Sequence, residues 1–150
     1  MNQQDQQEEM FCIDDLMSEL QIYVREELQN CGKTEIEAKA AQYSENETCW
    51  LQADREHLRQ ILVRLLDNAV KYIDRGFILF GYFVMDTDVV DFFVDDTRTE
   101  NYNENLTEIS ELVEQMGCRL KTELPNSLKS SYKFTVRAKT ELVKSSGSIF

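Results

Sequence analysis

The sequence has little of what long linkers, disulfide frameworks and metal sites require. Its 150 residues include one proline and five glycines, which leaves little material for flexible linkers. Four cysteines are present, but no two form a C-x-x-C pair, and the single histidine offers no zinc-ligand spacing. We therefore predict four reduced thiols, with a redox pair as the less favoured alternative.

Positive charge is also scarce, with 16 Lys and Arg against 28 Asp and Glu, a formal net charge of −12. Proteins that bind nucleic-acid phosphates depend on clustered Lys and Arg, so nucleic acid is not an expected partner, and an acidic domain favours a basic partner face. No apolar run reaches the roughly 18–20 residues of a membrane helix. The first residues, MNQQDQQEE, have neither the basic start nor the apolar stretch of a signal peptide. We expect a cytoplasmic protein without a membrane segment.

The apolar content suits one folded domain. Hydrophobic residues make up 42% of the chain, and its length is that of an ordinary domain. We expect a disordered segment or linker over 1–10, one domain over 11–140 and a tail over 141–150. No internal repeat or second domain is expected.

Apolar residues at three- and four-residue spacing predict three helices. The first covers 13–28, the second follows the N-cap Asp54 and runs through Tyr72, and the third covers 106–116 and ends at Gly117.

Alternating and β-branched segments predict six strands in three hairpins. The hairpins join 34–40 with 49–52, 77–85 with 89–94, and 119–124 with 132–138. Hairpins alternating with single helices indicate an α+β fold. We predict a two-layer α/β sandwich in which three helices cover one face of a mixed, mostly antiparallel sheet.

Five polar side chains share one side of the second helix, next to its apolar stripe. Arg64, Asp67, Asn68, Lys71 and Tyr72 lie at i, i+3, i+4, i+7 and i+8. An Asn oxygen can ligate Mg²⁺, a Lys can hold a phosphate and a Tyr can stack on a base, so the set suits a nucleotide. A solvated helix flank with i,i+4 charge pairing fits the same spacing, and spacing alone leaves both interpretations open.

The segment QILVRLLDNAVKY at 60–72 resembles the N box of the histidine-kinase ATPase domain, whose usual form is Q-V-L-x-N-L-L-x-N-A-x-K-Y. This domain belongs to the Bergerat-fold (GHKL) superfamily. The segment VDDT at 94–97 resembles the V-x-D-T that opens the first glycine box. The segment LVEQMGC at 112–118 resembles the L-V-x-x-M-G-G of the helix after the nucleotide lid. The resemblance covers about 11–138 and implies the Bergerat fold.

The resemblance also implies roles for the matched residues. Asn68 would ligate Mg²⁺, Lys71 would approach the phosphates, Tyr72 would lie against adenine and Asp96 would accept the adenine amino group. Asp67 stands where many kinases carry an acidic residue that helps to polarise the attacking group, so it is the candidate catalytic residue. ATP and Mg²⁺ are the implied cofactors of an active site.

The departures from the family pattern lie where the triphosphate would be held. In the pattern D-x-G-x-G the glycines are replaced by Arg98 and Glu100, and a later pair of glycines by Asn103 and Asn105. The first Asn of the N box is Arg64. Only two residues separate the two glycine boxes, where the family usually has a long mobile lid. We therefore predict degenerate glycine boxes and a deleted ATP lid.

These features favour a degenerate sensor-histidine-kinase ATPase-like domain of two-component signalling. Such a pseudo-ATPase does not hydrolyse ATP, needs no cofactor and acts on a protein partner in a signalling pathway. The alternative is an active ATP-binding catalytic domain with a shortened lid, in which Lys71 and Arg98 hold the phosphates. A third hypothesis is a structural dimerisation domain, and the oligomeric state stays open. The resemblance does not include the helical hairpin with the phosphorylated histidine, so autophosphorylation in cis is not expected.

Overall fold

The computed structural model describes residues 7–98, 105–123 and 130–144, which form three helices and two β-sheets. The helices are α1 (Ile13–Asn30), α2 (Arg55–Tyr72) and α3 (Leu106–Gln115). The strands are β1 (Glu9–Cys12), β2 (Glu37–Ala40), β3 (Glu47–Ala53), β4 (Phe77–Asp86), β5 (Val89–Asp96), β6 (Lys121–Glu123), β7 (Ser130–Arg137) and β8 (Thr140–Lys144). Among these residues, no helix combines the length and the apolar character that crossing a membrane requires.

Helix α2 has both of its ends capped by side chains. The carboxylate of Asp54 accepts a hydrogen bond from the backbone N–H of His57 at 3.1 Å. At the other end, Nζ of Lys33 lies 2.6 Å from the carbonyl oxygen of Val70 and 3.0 Å from that of Lys71, where a positive charge stabilises the helix dipole. The apolar stripe between the caps is fully buried and consists of Leu58, Ile61, Leu62, Leu65, Leu66 and Ala69. All three predicted helices are confirmed.

The larger sheet has the strand order β2-β4-β5-β7-β6, and within the described residues only β2 and β4 run parallel. Alternate residues of β4, β5 and β7 enter the core with the helix stripes. They include Ile78, Phe80, Tyr82, Val90, Phe92, Val94, Phe134 and Val136. The predicted α+β fold with a mixed, mostly antiparallel sheet is confirmed. The hairpin of β4 with β5 and the antiparallel pairing of β6 with β7 are confirmed as well.

The predicted hairpin of 34–40 with 49–52 is wrong. Strand β2 pairs in parallel with β4, whereas β3 lies between β1 and β8 in a separate three-stranded sheet. Apolar alternation identifies a strand and its buried face, but not the neighbour. Trp50, for example, lies opposite both Cys12 and Glu141, which are far away along the chain.

Two element boundaries also differ from the expected ones. Strand β1 begins at Glu9, inside the segment expected to be disordered or a linker, and β8 extends through Lys144, inside the expected tail. Both strands are held by pairing with β3, which short local patterns do not reveal. Most of the connection between the two strands of the third predicted hairpin, residues 124–129, lies outside the described residues.

Gly76 connects α2 to β4 and has a φ of +104°. A Cβ at this position would overlap the hydroxyl oxygen of Thr97, which donates to the carbonyl of Arg75 at 2.8 Å and accepts from the N–H of Phe77 at 3.1 Å. Because both the positive φ and the overlap oppose a side chain, we expect Gly76→Ala to lower the free energy of unfolding by roughly 2–3 kcal/mol. Urea denaturation followed by circular dichroism measures this loss.

Gly117→Ala is the matched control, because Gly117 also has a positive φ, +76°, but a Cβ there meets no atom within 4 Å. Its expected cost is about 1 kcal/mol, from the backbone conformation alone. Equal losses for the two variants would contradict the proposed overlap with Thr97.

Candidate functional site

The ends of α2 and β5 and the start of β7 converge on the side chain of Arg98. Its Cζ atom lies 5.7 Å from the ring centre of Tyr72 on α2 and 5.6 Å from the ring centre of Tyr132 on β7. Both distances are within the range of a cation–π contact. The guanidinium of Arg98 is therefore in contact with two aromatic rings and removed from solvent.

Arg98 also binds the carboxylate of Asp96 at the end of β5. Its Nε donates to Oδ1 at 2.8 Å and to Oδ2 at 3.1 Å, its Nη2 donates to Oδ2 at 2.6 Å, and its backbone N–H donates to Oδ1 at 2.9 Å. The exposed fraction is 1% for the side chain of Arg98 and 0% for that of Asp96. A carboxylate offers about four lone-pair sites, so these four hydrogen bonds use its acceptor capacity.

Arg98 stays protonated and positively charged in this environment. Burial by itself lowers the pKa of the guanidinium, but the hydrogen bonds and the negative charge of Asp96 outweigh burial, and the pKa is raised. The two groups thus form a buried ion pair with bidentate geometry, which is the strong form of an Arg–carboxylate contact.

Two further predicted binding residues, Asn68 and Lys71, lie on α2 together with Tyr72. Asn68 is buried, with 5% of its surface exposed, and Lys71 is exposed. The Nζ of Lys71 lies 5.6 Å from the ring centre of Tyr72, so Tyr72 contacts two cations, Lys71 and Arg98. Within the described ranges, no group of three or more His, Cys, Asp or Glu side chains is placed to hold a metal ion. The role of Asn68 as a Mg²⁺ ligand and that of Lys71 at the phosphates stay predictions.

Asp67, the candidate catalytic residue, takes part in the contact between α1 and α2. It accepts a hydrogen bond from the hydroxyl of Tyr23 at 2.6 Å. Burial, together with the hydrogen bond and the charge of Asp67, raises the pKa of Tyr23, so this hydroxyl stays a donor. The same helix pair is joined by Glu19, which accepts from Arg55 at 2.9 Å and from Arg59 at 2.6 Å.

Arg64, which replaces the first Asn of the N box, pairs with Glu108 on α3 at 2.7 Å. Asn105, which replaces a family glycine, has a φ of +58°, a conformation that Asn tolerates better than most residues. Glu100 and Asn103 lie outside the described residues.

No protein-family model and no curated protein matches the sequence. Solved structures do match. The chain superposes on the Acinetobacter baumannii histidine kinase AdeS with a TM-score of 0.73 at 13% identity, over 91% of this chain and 70% of that one. For full-length ShkA in complex with AMPPNP, the TM-score is 0.76 at 23% identity, over 92% of this chain and 32% of that one. For the catalytic domain of the histidine kinase ThkA, it is 0.72 at 18% identity, over 89% and 99%. The chain has the fold of a histidine-kinase catalytic domain.

Within this histidine-kinase fold, the residue that sequence reasoning missed is Tyr132. It lies directly opposite Val94 in the register of β5 and β7, and Ser130 lies opposite Asp96. Tyr132 is therefore two residues along β7 from the partner of Asp96 and shares its face of the sheet. The sequence does not show that Tyr132 lies near Asp96, because this proximity depends on the register between β5 and β7.

As arranged here, the residues of this histidine-kinase fold do not fit adenine. The resemblance assigns the carboxylate of Asp96 to the adenine amino group, yet this carboxylate is enclosed by the donors of Arg98. The guanidinium is itself planar and rich in N–H donors, and it contacts Tyr72, which the resemblance places against the base. Adenine would have to displace Arg98 from a buried ion pair.

Proposed function

We propose that the chain is a degenerate histidine-kinase ATPase-like domain that does not hydrolyse ATP and regulates a protein partner in two-component signalling. The observation that supports it best is the buried ion pair of Arg98 with Asp96, in contact with Tyr72 and Tyr132. The proposal needs no cofactor. A cytoplasmic location stays a prediction from the sequence.

The cost of opening the ion pair supports a loss of nucleotide binding. Separating one partner of a buried pair costs roughly 3–5 kcal/mol, and each 1.4 kcal/mol changes a dissociation constant about tenfold. Displacing Arg98 would thus weaken adenine binding by about two to four orders of magnitude. In the sequence, Glu100 replaces a glycine of the family's first glycine box, and the resemblance predicts that its negative charge would oppose the phosphates.

The alternative, an active catalytic domain with a shortened lid, is favoured by the exposed Lys71 next to Tyr72. ATP and Mg²⁺ would then be held by Lys71, Asn68 and Asp96. This function requires Arg98 to leave Asp96 and turn towards the phosphates.

Isothermal titration calorimetry with Mg-ATP at millimolar concentration separates the two functions. We expect no stoichiometric binding to the wild-type chain, because the carboxylate of Asp96 is occupied. Full-length ShkA titrated with AMPPNP serves as the positive control, since its structure contains that ligand. Stoichiometric binding to the wild-type chain would contradict the expected loss of nucleotide binding. If Asp96→Asn abolishes that binding while its circular dichroism spectrum stays that of the folded wild type, the active domain is favoured.

Light scattering over a dilution series addresses the third hypothesis. A regulatory module that acts on another protein is expected to keep its mass on dilution. A mass that falls on dilution, without nucleotide binding, would favour a structural dimerisation domain.

A further inference from the structure

A cavity distinct from the Asp96 site lies between the end of α1 and strand β2. Its volume is about 470 Å³, within the range of small-molecule sites. Its apolar lining is formed by Leu28, Ile36 and Ala38, which are buried. The cavity therefore has the size of a small-ligand site and an apolar floor of limited area, since these three residues expose only 2%, 7% and 3% of their surface.

The net charge of the residues around this cavity is positive, whereas that of the whole chain is negative. Three cations, Arg25, Lys33 and Lys39, line it together with one acid, Glu37. Within the described residues, none of the three cations forms an ion pair, although the chain carries 28 acidic residues. The lining therefore carries more positive than negative charge, and an anion bound beside the cations would lower their mutual repulsion.

The donors of these cations are only partly used. Arg25 donates from Nε to the carbonyl of Ala38 at 3.1 Å, which leaves the N–H groups of its two terminal nitrogens. Lys33 contacts two carbonyl oxygens at the end of α2, which leaves one of its three N–H donors. Lys39 is exposed and forms no side-chain hydrogen bond with another described residue. Donors of Arg25 and Lys39 are therefore left at the cavity, whereas the Nζ of Lys33 lies at the carbonyls of Val70 and Lys71, which do not line it.

The outer edge of β2 is unsuited to receive a further strand. Its carbonyl at Ala38 is bound by Arg25, and its N–H at Ala40 donates to the side chain of Gln21 at 2.8 Å. Because side chains of α1 occupy the groups through which a strand would pair, a compact ligand fits this place better than an extended peptide.

We propose that the cavity between α1 and β2 binds a small organic anion, a carboxylate or a phosphate monoester with an apolar body, through Arg25 and Lys39. The apolar body lies on Leu28, Ile36 and Ala38, the anionic group accepts hydrogen bonds from Arg25 and Lys39, and Lys33 adds positive charge nearby. The inference is independent of the nucleotide question, since no residue of the Asp96 site takes part.

The test is a fragment screen by NMR on the full chain without nucleotide. The library contains aryl and alkyl carboxylates and phosphate monoesters, each paired with its neutral amide or alcohol. We expect the anionic members to shift the backbone amide signals of Lys33, Thr34 and Lys39, and the neutral members to leave them unchanged. Carboxylates and phosphates are scored separately, which shows the anion that the cavity prefers.

Variants then locate the site. Lys39→Gln removes a charge without breaking a described hydrogen bond, and we expect it to weaken the best fragment about 1.5–5-fold. Lys144→Gln, an exposed lysine on β8, is the matched control and is expected to leave the affinity unchanged. The proposal is rejected if neutral fragments bind as well as anionic ones, if the shifts lie elsewhere, if Lys39→Gln has no effect, or if no anionic fragment binds. None of these results would affect the Mg-ATP titration.

Discussion

Arg98→Ala is expected to lower the free energy of unfolding by roughly 3–5 kcal/mol. The substitution leaves the carboxylate of Asp96 buried, with 0% of its side chain exposed, after three hydrogen bonds from the Arg98 side chain are lost. It also removes the cation that contacts Tyr72 and Tyr132. An uncompensated buried charge is among the most destabilising changes in a protein core. Urea denaturation at neutral pH, followed by circular dichroism, measures the loss.

The matched control is Arg64→Ala, which also removes an arginine from an ion pair. The Arg64 and Glu108 side chains are 44% and 57% exposed, so water replaces the lost partner. We expect a cost below about 1 kcal/mol. If the two substitutions cost the same, the pair of Arg98 with Asp96 is not a buried one, and the main support for the proposed function is lost.

A variant with both partners replaced, Asp96→Leu with Arg98→Leu, tests the origin of the effect. Removing both charges together avoids the unpaired carboxylate, so the double variant is expected to be more stable than Arg98→Ala. A double variant that is as unstable as the sum of the two single replacements would show that packing, rather than the ion pair, dominates.

Asp14→Ala is expected to lower the free energy of unfolding by roughly 2–5 kcal/mol, the other large effect. The carboxylate of Asp14 on α1 accepts the buried hydroxyl of Tyr82 at 2.9 and 3.0 Å and the backbone N–H of Cys49 at 2.9 Å. It thus joins α1 to both sheets, since Tyr82 is in β4 and Cys49 in β3. Without the carboxylate, two donors stay in the core with no acceptor, and thermal or urea unfolding measures the cost.

Asp15→Ala controls for charge, because Asp15 has the same charge in the same first turn of α1 but is exposed. Its loss is expected to cost at most about 0.5–1 kcal/mol, from the helix dipole alone. Burial and the hydrogen bond to Asp14 raise the pKa of Tyr82, so its hydroxyl stays protonated and donates. Equal costs for Asp14→Ala and Asp15→Ala would contradict the role assigned to the buried donors.

Much of the fold can be predicted from local sequence patterns. The errors concern strand pairing, which depends on distant segments. The cap at Asp54 is a contact local to α2, and the apolar stripe through Leu65 is the face that α2 buries. Both features appear as spacing along the chain, so the sequence is sufficient to predict this helix. The partners of β3 depend on which distant strands, β1 and β8, come to lie beside it. Spacing carries no information on this choice, and the predicted hairpin was therefore wrong.

The candidate site also has residues that the sequence identifies and contacts that only the structure shows. Asp96, Tyr72 and Arg98 are named by motif, because the motif preserves their order along the chain. The position of Tyr132 is set by the register of β5 with β7, and the orientation of Arg98 by the burial of Asp96. Motif matching places residues along a chain, but it does not decide which side chains fill the space between them.

By itself, the sequence determined the three helices, two of the three predicted strand pairings and the residues that match the histidine-kinase motifs, since local periodicity and motif order encode these features. The tertiary structure alone decided that the guanidinium of Arg98 binds the carboxylate of Asp96, and that three cations and one acid line a cavity beside β2. The physical reason is that hydrogen bonds and charge contacts depend on distances in space, which the packing of distant segments creates.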